Sequence, residues 1–313
     1  MTTTSHTPPA HGEEAPSTPI TTESRSAGSS SQRARGLLAL LAVYLIWGST
    51  YLAIRFAIES IPPFLMLAIR FLIAGGLLYG FLRLSGSPTP TWKQWAGSAA
   101  MGTLLLAGGL GVAAFAEQSV ASGLVALAAA VPLWVALFAG LCGQWPVRRK
   151  WIGLVIGFIG IILLNLESGV RASPLGAVLL ILAPISWAFG SVWSRRLPMP
   201  SGLMASATEM LTGGAVLLVV GLALGERVSL LPTERSLLAL GYLVIFGSLV
   251  AFSAYGYLLR TARPALATSY AYVNPVVAVA LGVALDGERI TWVGLLALLV
   301  ILTGVLLVAL KRQ

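Results

Sequence analysis

The feature that most constrains the fold of this chain is a succession of apolar stretches, each long enough to cross a lipid bilayer. A helix needs about 20 apolar residues for that crossing. Only 10% of the 313 residues are Asp, Glu, Lys or Arg, whereas soluble domains carry about 25%. The sequence therefore predicts an all-α polytopic membrane protein with ten transmembrane helices. The predicted spans are residues 36–57, 64–84, 95–116, 120–143, 150–166, 174–194, 203–224, 237–259, 265–285 and 291–310.

The first 35 residues have a different composition from the rest of the chain. They are rich in Ser, Thr, Pro and Ala and contain no apolar run. They therefore cannot bury enough apolar surface to offset the conformational entropy lost on ordering. We predict that residues 1–35 form a disordered cytoplasmic tail. The apolar run that begins at Gly36 is too long for the core of a secretory signal peptide, and it is predicted to be an uncleaved first span.

The basic residues are divided unequally between the two sides of the predicted membrane protein. Of the 20 Lys and Arg residues, 14 fall in the tail, the even-numbered loops or the C-terminus, five fall in the odd-numbered loops, and Arg70 lies inside a span. Because cytoplasmic loops retain Lys and Arg, both termini are predicted to be cytoplasmic. This orientation accounts for the net charge of +9 without a nucleic-acid partner.

The two halves of the chain resemble each other at a separation of about 142 residues. A second half that follows five crossings starts on the opposite face, so residues 36–166 and 174–310 are predicted to be two inverted five-helix repeats. Inverted repeats are typical of secondary transporters, whose site lies between the repeats near the midplane. The matches are Ile46–Ser49 with Trp187–Ser191, Gly75-Gly76 with Gly213-Gly214, Val131-Pro132 with Asn274-Pro275, and Trp151–Gly153 with Trp292–Gly294.

Four segments carry a resemblance to a known family: Tyr44–Tyr51, Arg70–Leu72 after Pro62-Pro63, Ser186–Ser191 and Ala265–Pro275. With them the chain resembles the EamA-type drug/metabolite transporter superfamily, and within it the YedA-like exporters. The resemblance covers residues 37 to 310 as two tandem EamA units. It implies a ten-helix carrier of the cytoplasmic (plasma) membrane that exports amino acids, other metabolites or drugs.

Polar and aromatic side chains within the spans are the candidates for a substrate cavity. Span nine is unusually polar before a proline that bends the helix and frees a carbonyl group, which suits either a cavity wall or a packing kink. Spans one and six bring aromatic and hydroxyl groups that suit either a pocket or an interfacial belt. The candidates are Thr268, Ser269, Tyr270, Tyr272, Asn274 and Pro275, their repeat counterparts Pro132 and Trp134, and Trp47, Ser49, Tyr51, Trp187 and Ser191.

Three charged residues are candidates for gating or coupling. Arg70 lies about six residues from the outer end of span two, where it could snorkel to the interface or gate a substrate. Glu209 occupies the corresponding place in span seven, but at the opposite depth, so we expect no direct pair with Arg70. Glu209 could instead carry a coupling proton. Glu117 is either a loop charge or an outer-gate partner.

Catalysis and metal binding are not expected. The only cysteine is Cys142, and both histidines, His6 and His11, lie in the tail, so no metal site, cofactor or enzymatic constellation is predicted. The expected partners are a small-molecule substrate and the lipid bilayer, with homo-oligomerisation left open. A sugar-phosphate or nucleotide-sugar exchanger is an alternative that would favour several basic residues in the cavity. A lipid-modifying enzyme and a non-transporting sensor are alternatives from other classes.

Overall fold

The computed structural model describes residue 2 and residues 23–116, 131–166, 174–228, 231–286 and 291–309, and all regular structure in these ranges is helical. The predicted all-α class is therefore confirmed. In chain order the elements are α1 (Glu23–Ala57), α2 (Pro63–Leu84), α3 (Trp92–Gly102), a first π-helical segment (Thr103–Gly111), α4 (Val112–Ala116), α5 (Val131–Leu141), α6 (Arg148–Leu166), α7 (Pro174–Trp193), α8 (Leu203–Ala223), α9 (Glu234–Tyr242), a second π-helical segment (Leu243–Val250), α10 (Ala251–Thr261), α11 (Pro264–Ala267), α12 (Tyr270–Asp286) and α13 (Trp292–Ala309).

Several helices have the length and composition of membrane spans. In the described part of the chain, five helical stretches are long and apolar enough to cross a bilayer. They are Ala34–Ala57, Pro63–Leu84, Trp92–Ala116, Leu203–Ala223 and Glu234–Thr261, and shorter apolar helices cover Val131–Leu141, Ile181–Trp193 and Trp292–Val308. The chain is thus a polytopic helical protein, while the number of crossings, the inversion of the repeats and the side of each terminus stay predictions.

The N-terminal helix is longer than expected. It begins at Glu23, inside the segment predicted to be a disordered tail. Most of residues 23–35 are Ser, Arg, Ala or Gln, which are compatible with a helix once the apolar part of α1 has nucleated it. The remainder of the predicted tail, apart from residue 2, lies outside the described residues.

Local side-chain chemistry sets the starts of two long spans. The Thr91 hydroxyl accepts a hydrogen bond from the Gln94 amide while the Gln94 side chain accepts one from the Thr91 amide, which completes a capping box at α3. The Thr233 hydroxyl accepts a hydrogen bond from the Ser236 amide at the start of α9. Capping satisfies amides that the first helical turn leaves unpaired.

Two pairs of helices form the most extensive contacts: α2 packs along α8, and α6 packs along α13. Glycines permit the close approach in both pairs. A Cβ atom added at Gly75 would lie 2.9 Å from the backbone nitrogen of Leu211, and one added at Gly304 would lie 2.5 Å from the backbone nitrogen of Gly157. Small residues at such crossings let backbones pack directly against each other. Residues Gly36–Gln313 belong to one compact unit, which contains both predicted repeats.

The two π-helical segments lie in the middle of the third and eighth predicted spans. A π turn is wider than an α turn and is frequent at functional sites. A carbonyl group in each segment accepts a hydrogen bond from another helix: Ser186 Oγ donates to Leu104 O over 2.8 Å, and Trp47 Nε1 donates to Gly247 O over 3.1 Å. The π-helical segments therefore connect α7 and α1 to the interior of the helical bundle.

The ninth predicted span is broken near its start. Helix α11 ends at Ala267 and α12 begins at Tyr270. At the break, Thr268 Oγ1 donates a hydrogen bond to Pro264 O over 3.0 Å, and Ser269 Oγ donates to Leu266 O over 2.8 Å. These hydroxyls bond backbone carbonyls of their own segment, an alternative to the regular helical pattern that Ser and Thr commonly offer.

Candidate functional site

An interior cavity of about 130 Å³ lies among the helices. Its wall combines residues of both predicted repeats, and most of them are apolar. Thr50, Arg70 and Asn274 are the polar exceptions besides the aromatic indole and phenol groups. The lining residues are Trp47, Thr50, Ile54, Arg70, Phe71, Leu106, Gly109, Leu110, Ala113, Val131, Ala183, Pro184, Trp187, Phe252, Tyr270, Ala271 and Asn274.

The rings of Trp47, Trp187 and Tyr270 line this cavity, and Trp47 is the centre of a group of four aromatic rings. Its ring centroid lies 5.8 Å from that of Trp187, 5.0 Å from Tyr255 and 4.7 Å from Tyr270. The Trp187 and Tyr270 rings meet Trp47 edge to face and the Tyr255 ring is tilted, which are the geometries that aromatic quadrupoles favour. We call these four residues the aromatic cluster.

Hydrogen bonds fix the orientation of the cluster. Trp187 Nε1 donates to the Tyr255 hydroxyl over 3.0 Å. The hydroxyls of Ser191 and Tyr255 are hydrogen-bonded over 2.8 Å, and Ser191 Oγ donates to Trp187 O over 2.7 Å. The polar atoms of both indoles are therefore used within the protein, since Trp47 donates to Gly247 O. The rings present mainly apolar surface to the cavity.

Arg70 supplies the positive charge at the cavity. Its side chain is 3% exposed, and its Nε donates a hydrogen bond to Ser248 Oγ over 2.7 Å. A Cβ atom at Gly247 would lie 2.7 Å from Arg70 Nη2, so glycine leaves room for the guanidinium. No carboxylate of the described residues lies within the 4.0 Å of an ion pair with it. The side chain is thus buried in the protein and held by a hydrogen bond to Ser248.

Asn274 adds an amide to the same cavity. The residue is 2% exposed, and its Oδ1 has no hydrogen-bond partner among the described residues. One turn earlier, Ala271 also lines the cavity. Because Pro275 has no amide hydrogen, the carbonyl of Ala271 lacks its usual helical donor. Tyr270, Ala271 and Asn274 share one face of α12. This face therefore presents the Asn274 amide and the Ala271 carbonyl to the site as hydrogen-bonding groups.

The other side-chain candidates lie away from the cavity lining. Ser49 Oγ donates to Ile46 O over 2.7 Å and bonds the Tyr242 hydroxyl over 2.6 Å. The Ser269 hydroxyl bonds the Tyr44 hydroxyl over 2.6 Å. Hydroxyl groups engaged in this way hold helices together. Candidates outside the lining set are Ser49, Pro132, Trp134, Ser191, Thr268, Ser269 and Tyr272.

Tyr272 faces a different part of the protein. Its hydroxyl donates to Leu154 O over 3.0 Å, and its ring lies against Gly157 of α6. In a helix, a position two residues from Tyr270 points to the opposite side. Tyr272 is therefore not among the residues that line this cavity, and its role in transport stays a prediction. In the predicted repeat counterpart, Trp134 stacks against Phe138 at 6.3 Å between centroids, and Pro132 is buried in α5.

Glu209 is buried at a separate place on α8. It is 6% exposed and does not line the cavity, and it makes no ion pair with Arg70. Its Oε1 has no hydrogen-bond partner among the described residues, and the same holds for Ser206 Oγ and Ser253 Oγ. Glu117 and the side chains of Tyr51 and Pro275 lie outside the described residues.

Several site residues were not anticipated from the sequence. Thr50 and Ile54 follow Trp47 at helical spacing on α1 and line the cavity with it, which a period of three to four residues could have suggested. Pro184 lies within α7 and lines the cavity. A proline inside a predicted span could also have been recognised from the sequence as a candidate. Tyr255 is the fully buried member of the aromatic cluster. It does not line the cavity, and no sequence pattern separates it from packing residues.

Apolar helices long enough to span a bilayer and a cavity whose described lining includes one charged residue, Arg70, are compatible with a multi-pass membrane transporter. The chain belongs to the EamA-like transporter family, whose model matches residues 34–166 and 174–310. Together these matches cover most of the chain and fall on the two segments that were predicted to be repeats.

Known proteins agree with this assignment. The chain is 48% identical over 276 residues to the "Uncharacterized inner membrane transporter YedA" of Escherichia coli (strain K12), covering 88% of this chain and 90% of that one. It is 30% identical over 248 residues to "Protein PecM" of Dickeya dadantii (strain 3937), covering 76% and 80%. It is 23% identical over 294 residues to the "Probable amino-acid metabolite efflux pump" of Escherichia coli (strain K12), covering 87% and 93%.

The fold also occurs in an experimental structure. A crystal structure superposes with a TM-score of 0.71 at 22% sequence identity, covering 88% of this chain and 96% of that chain. At this identity the similarity concerns the fold alone.

Proposed function

We propose that the protein is a secondary transporter of the plasma membrane that exports small metabolites, amino acids or drugs by alternating access, with both termini in the cytoplasm. The interior cavity is the proposed substrate site. The observation that carries this proposal is Arg70, a guanidinium that lines an otherwise mainly apolar cavity with no carboxylate within 4.0 Å in the described ranges. A buried charge is costly unless it is paired, and a substrate can supply the pair.

The cavity favours a small amphipathic substrate with an anionic group. Guanidinium binds carboxylates through directed, charge-assisted hydrogen bonds. The aromatic cluster offers apolar surface to the rest of such a molecule, and the Asn274 amide offers an additional hydrogen-bonding group beside it. A carboxylate with an apolar or aromatic portion, as in many amino acids and organic acids, fits this combination. The efflux pump named among the relatives supports the same substrate class.

Corresponding features in the two halves support alternating access. The third and eighth predicted spans both begin at a threonine N-cap, Thr91 and Thr233, and both contain a π-helical segment. Helix α2 pairs with α8, its predicted counterpart, and α6 pairs with α13. Transporters with inverted repeats expose their site alternately by moving one repeat against the other.

The alternative functions receive less support from the cavity. Exchange of sugar phosphates or nucleotide sugars would favour several basic groups, and Arg70 is the one basic residue in the lining set. A lipid-modifying enzyme needs a reactive cluster. Among the described residues, no three or more His, Cys, Asp or Glu side chains lie close enough together to hold a metal ion. A non-transporting sensor would have no need of corresponding features in two halves.

The proposal can be tested by metabolite profiling of medium and cytosol from cells that express matched variants at equal membrane abundance. Arg70→Gln removes the buried charge, and Arg83→Gln removes an exposed charge at the end of the same helix. We expect a carboxylate-bearing compound to accumulate outside cells with the wild type and Arg83→Gln, and to lose that enrichment with Arg70→Gln. Asn274→Ala is a second cavity variant in case Arg70→Gln does not fold. If no compound moves with the wild type, the export function is refuted.

A further inference from the structure

A second cavity, of about 210 Å³, opens where the loop before α6 meets the start of α11. Lys150 and Arg263 both line it, together with Gln144, Trp145, Val147 and Ala265. Lys150 follows the fourth predicted span and Arg263 follows the eighth, so both lie on the side that is predicted to be cytoplasmic. This cavity is separate from the central one, since the two share no lining residue.

The charges around this second cavity are not balanced. Lys150 and Arg263 are close enough for their positive charges to repel each other. The ion pair in the described part of the chain joins Arg235 and Glu59 elsewhere, so no described carboxylate bridges these two cations. Like charges held close together repel each other, and a counter-ion between them relieves the repulsion. An anion between the two side chains would remove the repulsion and gain two charge-assisted hydrogen bonds.

The surroundings indicate where the anion comes from. Trp145 is 59% exposed although its ring packs against Gly140, and Val147 beside it is also exposed. Exposed tryptophan is typical of the headgroup level of a membrane. Apolar surface next to two cations suits a molecule that carries a phosphate and an acyl chain. Anionic phospholipid is present at that level at all times, and basic pockets between helices bind such headgroups.

We propose that this cavity is a binding site for the headgroup of an anionic phospholipid, with the phosphate between Lys150 and Arg263 and the acyl chains beside Trp145 and Val147. The proposal rests on the membrane location of the protein and does not depend on which substrate it transports.

The test uses the purified full-length protein in a neutral detergent and measures its apparent melting temperature. Dioleoylphosphatidylglycerol, dioleoylphosphatidylcholine and inorganic phosphate are added separately. The site variant is Lys150→Gln with Arg263→Gln. The control variant is Arg148→Gln with Arg149→Gln, which removes the same charge from exposed neighbours outside the cavity lining.

We expect phosphatidylglycerol to raise the melting temperature of the wild type and of the control variant by several degrees, and to raise that of the site variant by less than half as much. Phosphatidylcholine and inorganic phosphate should have little effect. If inorganic phosphate raises the melting temperature as much as phosphatidylglycerol does, the site binds a free anion and the lipid proposal is refuted. Equal losses in the two double variants, or no rise with the wild type, would refute a defined site. If the double site variant does not fold, Arg263→Gln alone replaces it, and Lys150→Arg should keep the full rise.

Discussion

The hydroxyl group of Tyr255 joins helices α7 and α10 within the aromatic cluster, and its removal is a direct test of that arrangement. It accepts a hydrogen bond from Trp187 Nε1 over 3.0 Å and is bonded to Ser191 Oγ over 2.8 Å. Tyr255 has no exposed surface. The substitution Tyr255→Phe keeps the ring and creates almost no cavity, so its effect isolates the hydrogen bonds of the hydroxyl group, which also include one with Tyr270.

The magnitude follows from what is lost. Hydrogen bonds between membrane helices average about 0.6 kcal/mol in measured cases, so two of them contribute about 1.2 kcal/mol. The indole N–H of Trp187 is left without an acceptor in a buried place, and an unsatisfied buried donor costs about 1–3 kcal/mol. Ser191 still donates to Trp187 O, so its loss is small. We expect Tyr255→Phe to lower the free energy of unfolding by about 1–3 kcal/mol.

The assay is reversible unfolding of the purified protein in mixed micelles, with Tyr257→Phe as the matched control. Tyr257 lies on the same helix and is only partly buried, so its substitution should change the free energy of unfolding by less than about 0.5 kcal/mol. Tyr255→Phe should also weaken transport, because Trp187 loses the contact that orients its ring. If the two variants unfold alike, the Tyr255 hydroxyl does not hold Trp187 as described, and the reasoning is refuted.

Three further predictions concern other parts of the protein. If Glu209 carries a coupling proton, Glu209→Gln should remove the dependence of transport on a pH gradient at unchanged membrane abundance; a retained dependence would assign coupling elsewhere. Gly304→Ala should lower the free energy of unfolding by about 1–3 kcal/mol because its Cβ would meet the backbone of α6, whereas Gly80→Ala, in open space on α2, should not lower it. A reporter fused after Arg312 should be cytoplasmic, and an extracellular signal would overturn the predicted orientation.

Several of the helices were predictable because their apolar runs are long and because residues that favour helix starts or ends lie at their termini. The second span was expected at residues 64–84 and the helix is Pro63–Leu84; the seventh was expected at 203–224 and the helix is Leu203–Ala223. Proline and glycine near these ends limit where a helix can run. The start of α1 at Glu23 was not predicted, because its polar first residues lack the apolar residues at every third or fourth position that indicate a helix.

The cavity was predictable only in part. Polar and aromatic residues are conspicuous in an apolar span, and Trp47, Trp187, Tyr270 and Asn274 do line the cavity. Composition alone does not indicate direction, however, and Tyr272 points to α6. Hydroxyl residues such as Ser49 and Thr268 have a second use in membranes, since they bond the backbone of their own helix.

The π-helical segments explain why the direction of side chains in the third and eighth spans could not be predicted from the sequence. A wider turn shifts the phase of every residue that follows it, so a regular helical wheel for the third or eighth span places side chains on the wrong face. Gly247 illustrates the consequence. Its carbonyl receives the Trp47 indole, and its missing side chain admits the Arg70 guanidinium. No motif in Leu243–Val250 predicts that Gly247 accepts this hydrogen bond or makes this space, because both depend on residues from distant helices.

The energetics of Arg70 link the fold to the proposed function. A residue needed only for packing would be apolar. Among the described residues the buried guanidinium has one hydroxyl partner, Ser248, which compensates a buried charge poorly. The surrounding structure nevertheless accommodates it, with a glycine at 247 to make space and the Phe71 ring centroid 4.8 Å from its Cζ. An anion bound beside the guanidinium would compensate its charge. Binding of the substrate would then supply the missing interaction, and its release to the other side of the membrane would restore the uncompensated charge for the next cycle.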